Sequence, residues 1–281
     1  MTKTTGARVI MISLRPKTDA DRERLVRGLE HLLVDDPMLS VHTDQRTGDV
    51  TIAGMGELHL GVVIARLRSE FSVEARPGKL QVAHREALTR SVDGSGRYLK
   101  ETGGRVECGD VKIRVYPGKP GGGYIFENMI PSESIPSQFV SEGVKEAATH
   151  GVLSGYPVDD LRVQLIDGSS RGTEVSETAF RIAGGMAFQD AARNAAPVVL
   201  EPVMRVTVTT PVEYITAIME NLSGRGGELE SETERDGRII IQVGARLSNM
   251  FGYAQDLRSQ TGGRATYTLT FDRYEPISSR Q

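Results

Sequence analysis

The chain has 281 residues, 38% of them hydrophobic and 25% charged, with a formal net charge of −3 and a single cysteine. That composition excludes a fibrous or disordered chain, and no apolar run nears the ~18–20 residues of a membrane-spanning helix. One cysteine excludes an internal disulfide and fits a reducing cytoplasm, while the acidic balance means that contact with nucleic acid has to come from a local basic patch.

The first 80 or so residues carry a βαββαβ pattern. Residues 8–14 read as a strand. Thr18 and Asp19 can cap a helix whose Leu25, Leu29, Leu32 and Leu33 recur at helical spacing, and Asp35-Asp36-Pro37 stops it. A hairpin follows, with Val41 and Thr43 before a turn over 44–48 and Val50 and Ile52 after it. A second helix shows Leu60, Ile64, Leu67 and Phe71 on one stripe, and a short strand lies near Val73. Two helices on one face of a four-stranded antiparallel sheet make the ferredoxin-like arrangement.

Residues 83–200 follow another plan. Strands are expected over 96–102, 111–116 and 124–128, then a helix over 137–150, a turn over 151–157, a strand over 161–166 and a long helix over 175–194. That last helix carries Gly184-Gly185 at its centre. Each costs about 1 kcal/mol relative to alanine, which points to another backbone packed against it. The last 80 residues repeat the first plan: a strand over 203–209, Thr210-Pro211 as N-cap and first helical residue, and Tyr214, Ile218 and Leu222 as an apolar stripe. A hairpin over 228–243 turns at Asp236-Gly237, and a helix over 249–258 and a strand over 265–271 complete it. The expected domains are therefore 1–82, 83–200 and 201–281.

No phosphate-cradling GxxxxGK[ST] motif is present. The run GKPGGG (118–123) has the glycines without the Ser or Thr, and reads as a strand connection. The five histidines show no metal-ligand spacing, and His59, in GELHLG at a helix start, reads as a packing or surface residue. Cys108 has no nearby histidine to activate it as a nucleophile. Nothing reads as a catalytic centre, and no metal or cofactor is expected. Basic residues gather on one stretch, Arg97, Lys100, Arg105, Lys112 and Arg114, within a region of 13 Lys and Arg against 15 Asp and Glu. Such a hairpin could grip phosphates, or be no more than a solvated strand face.

The stretches GMGELHL (54–60), VKIRVYP (111–117), GVLSGYPV (151–158), AFRIAGGMAF (179–188), LEPVM (200–204), VTTPVEY (208–214) and MFGYAQDLRSQTGGRATY (250–267) together resemble the C-terminal half of bacterial elongation factor G. They follow the family's order and spacing over nearly the whole chain. The resemblance implies an α+β chain: two ferredoxin-like βαββαβ domains flanking an elongated ribosomal protein S5 domain 2-like domain. The usual size of interfaces between domains of one chain leads us to expect limited contact among the three. It implies a cytoplasmic, monomeric, ribosome-binding module of translocation, without GTP and Mg of its own, because those belong to a GTPase domain that this stretch does not contain. The alternatives are a short paralogue acting at the same ribosomal site as a GTP-independent regulator or protection factor, and an enzyme reusing the S5-like domain.

By the same resemblance the S5-like domain, 83–200, is the family's fourth, whose tip enters the decoding region. GGRVECGDV (103–111) stands where the family has GGRGQYGHV, and DGSSRGTEVSETAF (167–180) where it has DGSYHEVDSSEMAF. The implied tip is Gly104, Arg105, Glu107, Cys108, Asp110, Ser170, Arg171 and Gly172, supported by Arg97, Lys100, Lys112 and Arg114. Glu107 replaces a glutamine, Cys108 a tyrosine, Asp110 a histidine and Arg171 a histidine. A carboxylate beside phosphates only accepts hydrogen bonds and is repelled, whereas arginine offers a two-pronged donor set.

Overall fold

A computed structural model describes residues 8–43, 49–102, 105–131, 135–169 and 176–277. The chain divides into two compact units, residues 1–83 with 201–275, and residues 84–200 with 276–281.

The first segment runs β1 (Ile10–Pro16), α1 (Asp19–Asp35), β2 (Ser40–Thr43), β3 (Val50–Gly54), α2 (Glu57–Phe71), β4 (Ala75–Pro77) and β5 (Gln81–Val82). Its sheet has the order β2-β3-β1-β4, all antiparallel, with β5 also on β1. The α1 cap is the expected one: Thr18 Oγ1 accepts from the Asp21 amide at 3.1 Å. Asp21 is buried and also accepts from Thr18, Arg24 and the Glu74 amide, which hold its carboxyl far below the usual range. The short strand expected near Val73 lies two residues later, because Ser72 adopts a left-handed conformation (φ 52°) as the C-cap of α2. The expected turn at 44–48 falls outside the described residues. His59 is a structural bridge. Its Nδ1 accepts from the Met55 amide at 3.0 Å, so the ring proton sits on Nε2 and is donated to Asp36 at 2.6 Å.

The middle segment runs β6 (Arg85–Ala87), β7 (Val92–Thr102), β8 (Arg105–Pro117), β9 (Tyr124–Asn128), α3 (Ser137–Thr149), β10 (Leu161–Ser169) and α4 (Glu177–Asn194). The sheet order is β7-β8-β10-β9, antiparallel except for the parallel β10–β9 pair. Val111, Ile113 and Val115 of β8 and Leu161, Val163 and Leu165 of β10 are buried with Phe180 and Phe188 of α4 and Val140 and Val144 of α3. The two central glycines of α4 do what their helix-breaking cost suggested. A Cβ on Gly184 would stand 2.5 Å from the Val140 carbonyl of α3, and one on Gly143 of α3 would stand 1.8 Å from the Arg181 carbonyl. On its sheet side α4 lies so close to β7 that a Cβ on Gly96 would be 2.0 Å from the Ala183 carbonyl.

The last segment runs β11 (Val198–Pro211), α5 (Ile215–Gly224), β12 (Glu228–Arg235), β13 (Arg238–Arg246), α6 (Tyr253–Thr261) and β14 (Thr266–Pro276). Its order, β12-β13-β11-β14, is the first segment's order over again. The expected cap at Thr210-Pro211 is corrected. β11 stays in register as far as Pro211 opposite Arg238, Thr210 is wholly buried, and a 3-10 turn over Val212–Tyr214 intervenes before α5. The last helix also starts later than expected, at Tyr253, after a 3-10 turn over Leu247–Met250.

The fold class is the α+β one expected. The limited contact expected between the first and last segments is not what the structure has. Met204 and Leu247 are buried in one cluster with Leu14, Leu25, Ile52 and Leu60, so these two segments form a single packed unit. In the other unit, the first residues of β11 pair with β6, and Glu86 of β6 is buried with its carboxylate inside the loop that follows α3. It accepts from the amides of Val152, Leu153, Ser154 and Tyr156 at 2.7–3.2 Å. Burial pushes its carboxyl up, but the four donors outweigh it and hold the group below the usual range.

Two outcomes follow. Gly143→Ala should destabilise by about 1–3 kcal/mol through overpacking, whereas Gly61→Ala in α2, where a Cβ meets nothing within 4 Å, should stabilise by about 0.5–1 kcal/mol; urea unfolding of both variants checks this. Because the folded pKa of Glu86 is depressed, its contribution is present above the ordinary carboxylate pKa and is lost as pH falls through the folded value. Glu86→Gln should therefore cost about 1–3 kcal/mol near pH 7 and progressively less in acid, read from melting curves between pH 7 and pH 3.

Candidate nucleic-acid interface

The hairpin of β7 and β8 is a continuous ladder from Val92 opposite Val115 to Thr102 opposite Arg105. Period-two alternation explains its two faces. Gly94 and Gly96 on β7 and Val111, Ile113 and Val115 on β8 turn to the helices, while Asp93, Ser95, Arg97, Lys112 and Arg114 turn outward. The expected loop over 103–110 is thus corrected: β8 begins at Arg105, and Glu107, Cys108 and Asp110 are strand residues opposite Lys100, Leu99 and Arg97. Cys108 is 1% exposed, so it is not available as a contact of the tip. Glu107 is exposed and Asp110 partly so.

The residues that lead into the implied second tip loop pair with β8, Gly168 with Val111 and Ser169 with Asp110. Gly104, Ser170, Arg171 and Gly172 lie outside the described residues, and Arg105 is placed only as the first residue of β8.

The supporting basic patch exists as a patch, but most of it is already paired. Arg114 donates to both oxygens of Asp93, at 2.5 and 3.0 Å, and Lys112 lies 3.7 Å from the same carboxylate. The Arg114 hydrogen bonds hold the Asp93 carboxyl below its usual range. Arg97 is 4.0 Å from Asp110. Lys100 alone of the four has no ion pair among the described residues, although Glu107 is its register partner. The network continues across the same face: Arg162 donates to Glu127 at 3.1 and 2.9 Å and lies 5.4 Å from the centre of the Tyr116 ring. Gln164 joins Glu127 to Tyr116. Reading the cations without the register missed these partners. The signal was in the sequence, because Asp93 and Arg97 on one strand and Asp110 and Arg114 on the next carry opposite charges at period-two spacing.

The glycine run at 118–123 is also occupied from within. The Gly121 and Gly123 amides donate to the two oxygens of Asp160 at 2.9 and 2.8 Å, so the chain's own carboxylate takes the donors that a phosphate would need. Among the described residues no group of three or more His, Cys, Asp or Glu could hold a metal, and no helix is long and apolar enough to cross a membrane.

Comparison with known proteins accounts for all three segments in order. Residues 6–79 match the family model for domain III of elongation factor G, residues 80–196 that for domain IV, and residues 198–281 that for its C-terminus. The chain belongs to the elongation factor G family. A crystal structure of a Thermus thermophilus protein is 33% identical over 96% of this chain, with a TM-score of 0.73. The chain spans 41% of that protein's length. The hairpin, its buried cysteine and its ion-paired face therefore belong to an elongation factor G domain IV, in a translation-factor-like module.

Asp93 is the residue that sets how much of the patch is free. Asp93→Asn should cost no more than about 1 kcal/mol, since these pairs are solvent-exposed, yet release Arg114 and Lys112. Binding of a labelled RNA stem should then tighten at low salt and depend more steeply on salt. Unchanged anisotropy titrations would show that this face does not meet phosphate.

Proposed function

We propose that this chain is a ribosome-binding module of protein synthesis that works in translocation, with the β7–β8 hairpin and the 169–176 connection as the part that approaches RNA. The observation that carries the reading is the match of three consecutive elongation factor G domains along one chain, and the pairing of Ser169 with Asp110 supports it. In this reading Arg105 and Arg171 supply the phosphate-facing charge, Lys100 adds a cation that is not neutralised, and Glu107 and Asp110 moderate it. The domains act as three functional parts, 1–82, 83–200 and 201–281, with the first and last behaving as one base. The module works in the cytoplasm as a monomer, and GTP hydrolysis belongs to a GTPase half outside this stretch.

A second reading has one specific observation in its favour. The cations of the hairpin are largely paired, and carboxylates replace the family's amide and imidazole at Glu107 and Asp110. That chemistry suits docking at the factor site as a GTP-independent regulator or protection factor, with weaker engagement of phosphate. The reuse of the S5-like domain as an enzyme has no specific observation in its favour among the described residues.

Ribosome pelleting across a salt series separates the readings. Arg171→Ala should weaken association at low salt and lower the salt slope by about one for each phosphate it no longer grips. Glu107→Gln should strengthen association, and grafted into a complete factor it should raise translocation. If neither change moves binding while substitutions in the first or last segment do, the tip is not what meets the ribosome.

A further inference from the structure

β9 ends the sheet of the middle segment, and its outer edge is open. The Leu161 amide donates to the Gly123 carbonyl at 3.0 Å, and the Met129 amide to the Leu165 carbonyl at 3.0 Å. Along a paired strand, residues that bond the neighbour alternate with residues whose backbone groups turn away from it. With Gly123 and Met129 turned to β10, Ile125 and Glu127 turn there as well. The amides and carbonyls of Tyr124, Phe126 and Asn128 therefore point out of the sheet, and among the described residues no strand pairs with them. The other sheet ends are guarded in the usual ways. β2 and β4 are short, β12 carries Glu228, Glu230, Glu232 and Glu234, and β14 carries Asp272, Arg273 and Glu275 near its end. At β7 the Ser95 amide is taken by Asp190 of α4 at 3.0 Å. β9 has none of these devices. It is aromatic and β-branched over Tyr124-Ile125-Phe126, and its charged residue, Glu127, is already bound by Arg162 and Gln164.

The strand is also held extended at both ends. Asp160 takes the Gly121 and Gly123 amides at its start, and Asn128 Oδ1 accepts from the Ile130 amide at 3.0 Å at its finish. The Tyr124 hydroxyl donates to the Ser141 carbonyl of α3 at 3.1 Å. An edge that is already extended loses little freedom when a partner pairs with it. Ile125 and Met129 remain exposed. Two cations flank the Tyr124 end: Lys119 in the loop before β9, and Lys145, one helical turn beyond Ser141 and so on the same side of α3. Both are exposed, and neither has an ion pair among the described residues.

We infer that the free edge of β9 is a strand-pairing site for an extended segment of another protein, apolar at alternate positions and acidic at the end that meets Tyr124. A row of alternating amides and carbonyls is matched along its length by a second polypeptide backbone. Phosphates accept from the amides but cannot donate to the carbonyls between them, so a nucleic-acid strand fits this edge poorly. On one face the segment's side chains lie beside Tyr124 and Phe126, and on the other beside Ile125, which selects aromatic or β-branched residues. Lys119 and Lys145 set its direction through charge. The inference does not depend on the hairpin's meeting RNA.

The test uses the full chain and short fluorescein-labelled peptides of alternating valine and threonine, with two aspartates at either the first or the last end. In anisotropy titrations one of the two orientations should bind more tightly, and the double variant Lys119→Gln, Lys145→Gln should abolish that preference. N-methylating alternate residues of the better peptide in one register should weaken binding about tenfold or more, because each blocked amide loses a backbone hydrogen bond. Methylating the residues in between should leave most of the affinity. Asn128→Pro removes an outward amide and no ladder bond, so it should weaken binding several-fold with little change in melting temperature. The methylated peptides probe the same hydrogen bonds with the chain unaltered. No binding of either peptide, equal binding of the two orientations, or equal binding of the two methylated forms would overturn the inference. So would displacement of the peptide by an RNA stem as readily as by unlabelled peptide, which would indicate attraction by charge alone. Sedimentation that shows a dimer lost in Asn128→Pro would place a second copy of this chain on the edge, and would overturn it too.

Discussion

The middle unit depends on backbones touching where side chains ordinarily intervene. Gly143 and Gly184 let α3 and α4 approach until carbonyl oxygens occupy the space of a Cβ, and Gly94 and Gly96 let β7 do the same against α4. The helices then sit low on the sheet, and a thin layer of valine, leucine, isoleucine and alanine fills the core with two phenylalanines. Close-packed interiors of this kind transmit displacement rather than absorb it. Rigidity follows where β7 and β8 pair against α4.

The same strands carry opposite duties on their two faces. Inward, alternation supplies glycine and β-branched residues; outward, it supplies charges of opposite sign across the ladder, Asp93 opposite Arg114 and Arg97 opposite Asp110. Exposed pairs of this sort add little stability, so their main consequence is electrostatic. They reduce the field that a run of cations would otherwise present, and leave specificity to the few charges without partners. The chain's formal charge of −3 points the same way: a polyanion would be drawn only by local cations, because the net charge does not attract it.

Unit formation follows burial rather than chain order. The first and last segments share a hydrophobic cluster, and Arg246 lies 3.5 Å from Glu201 and 3.6 Å from Glu275 within the same unit. The middle segment closes on itself through β6, the start of β11 and the amide cage around Glu86, with the Ile277 amide donating to the Val199 carbonyl at 2.9 Å.

The sequence by itself determined the elements, their order and the repeated βαββαβ plan, because helical and strand periodicities, the Thr18 cap and the Asp236-Gly237 turn are local signals. It also carried the close glycine packing of α4 as a cost that demanded a neighbour, and the family through motifs that stay in order over the chain. Tertiary structure decided the rest. Cys108 looked like a loop residue because its neighbours are polar, yet strand pairing out to Arg105 places it in the ladder and buries it. Thr210 looked like a helix cap because capping is read from three or four residues, whereas nine ladder pairs from Val203 to Pro211 hold β11 extended there. The pairing of Arg114 with Asp93 and that of Arg162 with Glu127 both join residues far apart in sequence. Charge balance at a site is fixed by register, and register is set only when the strands meet.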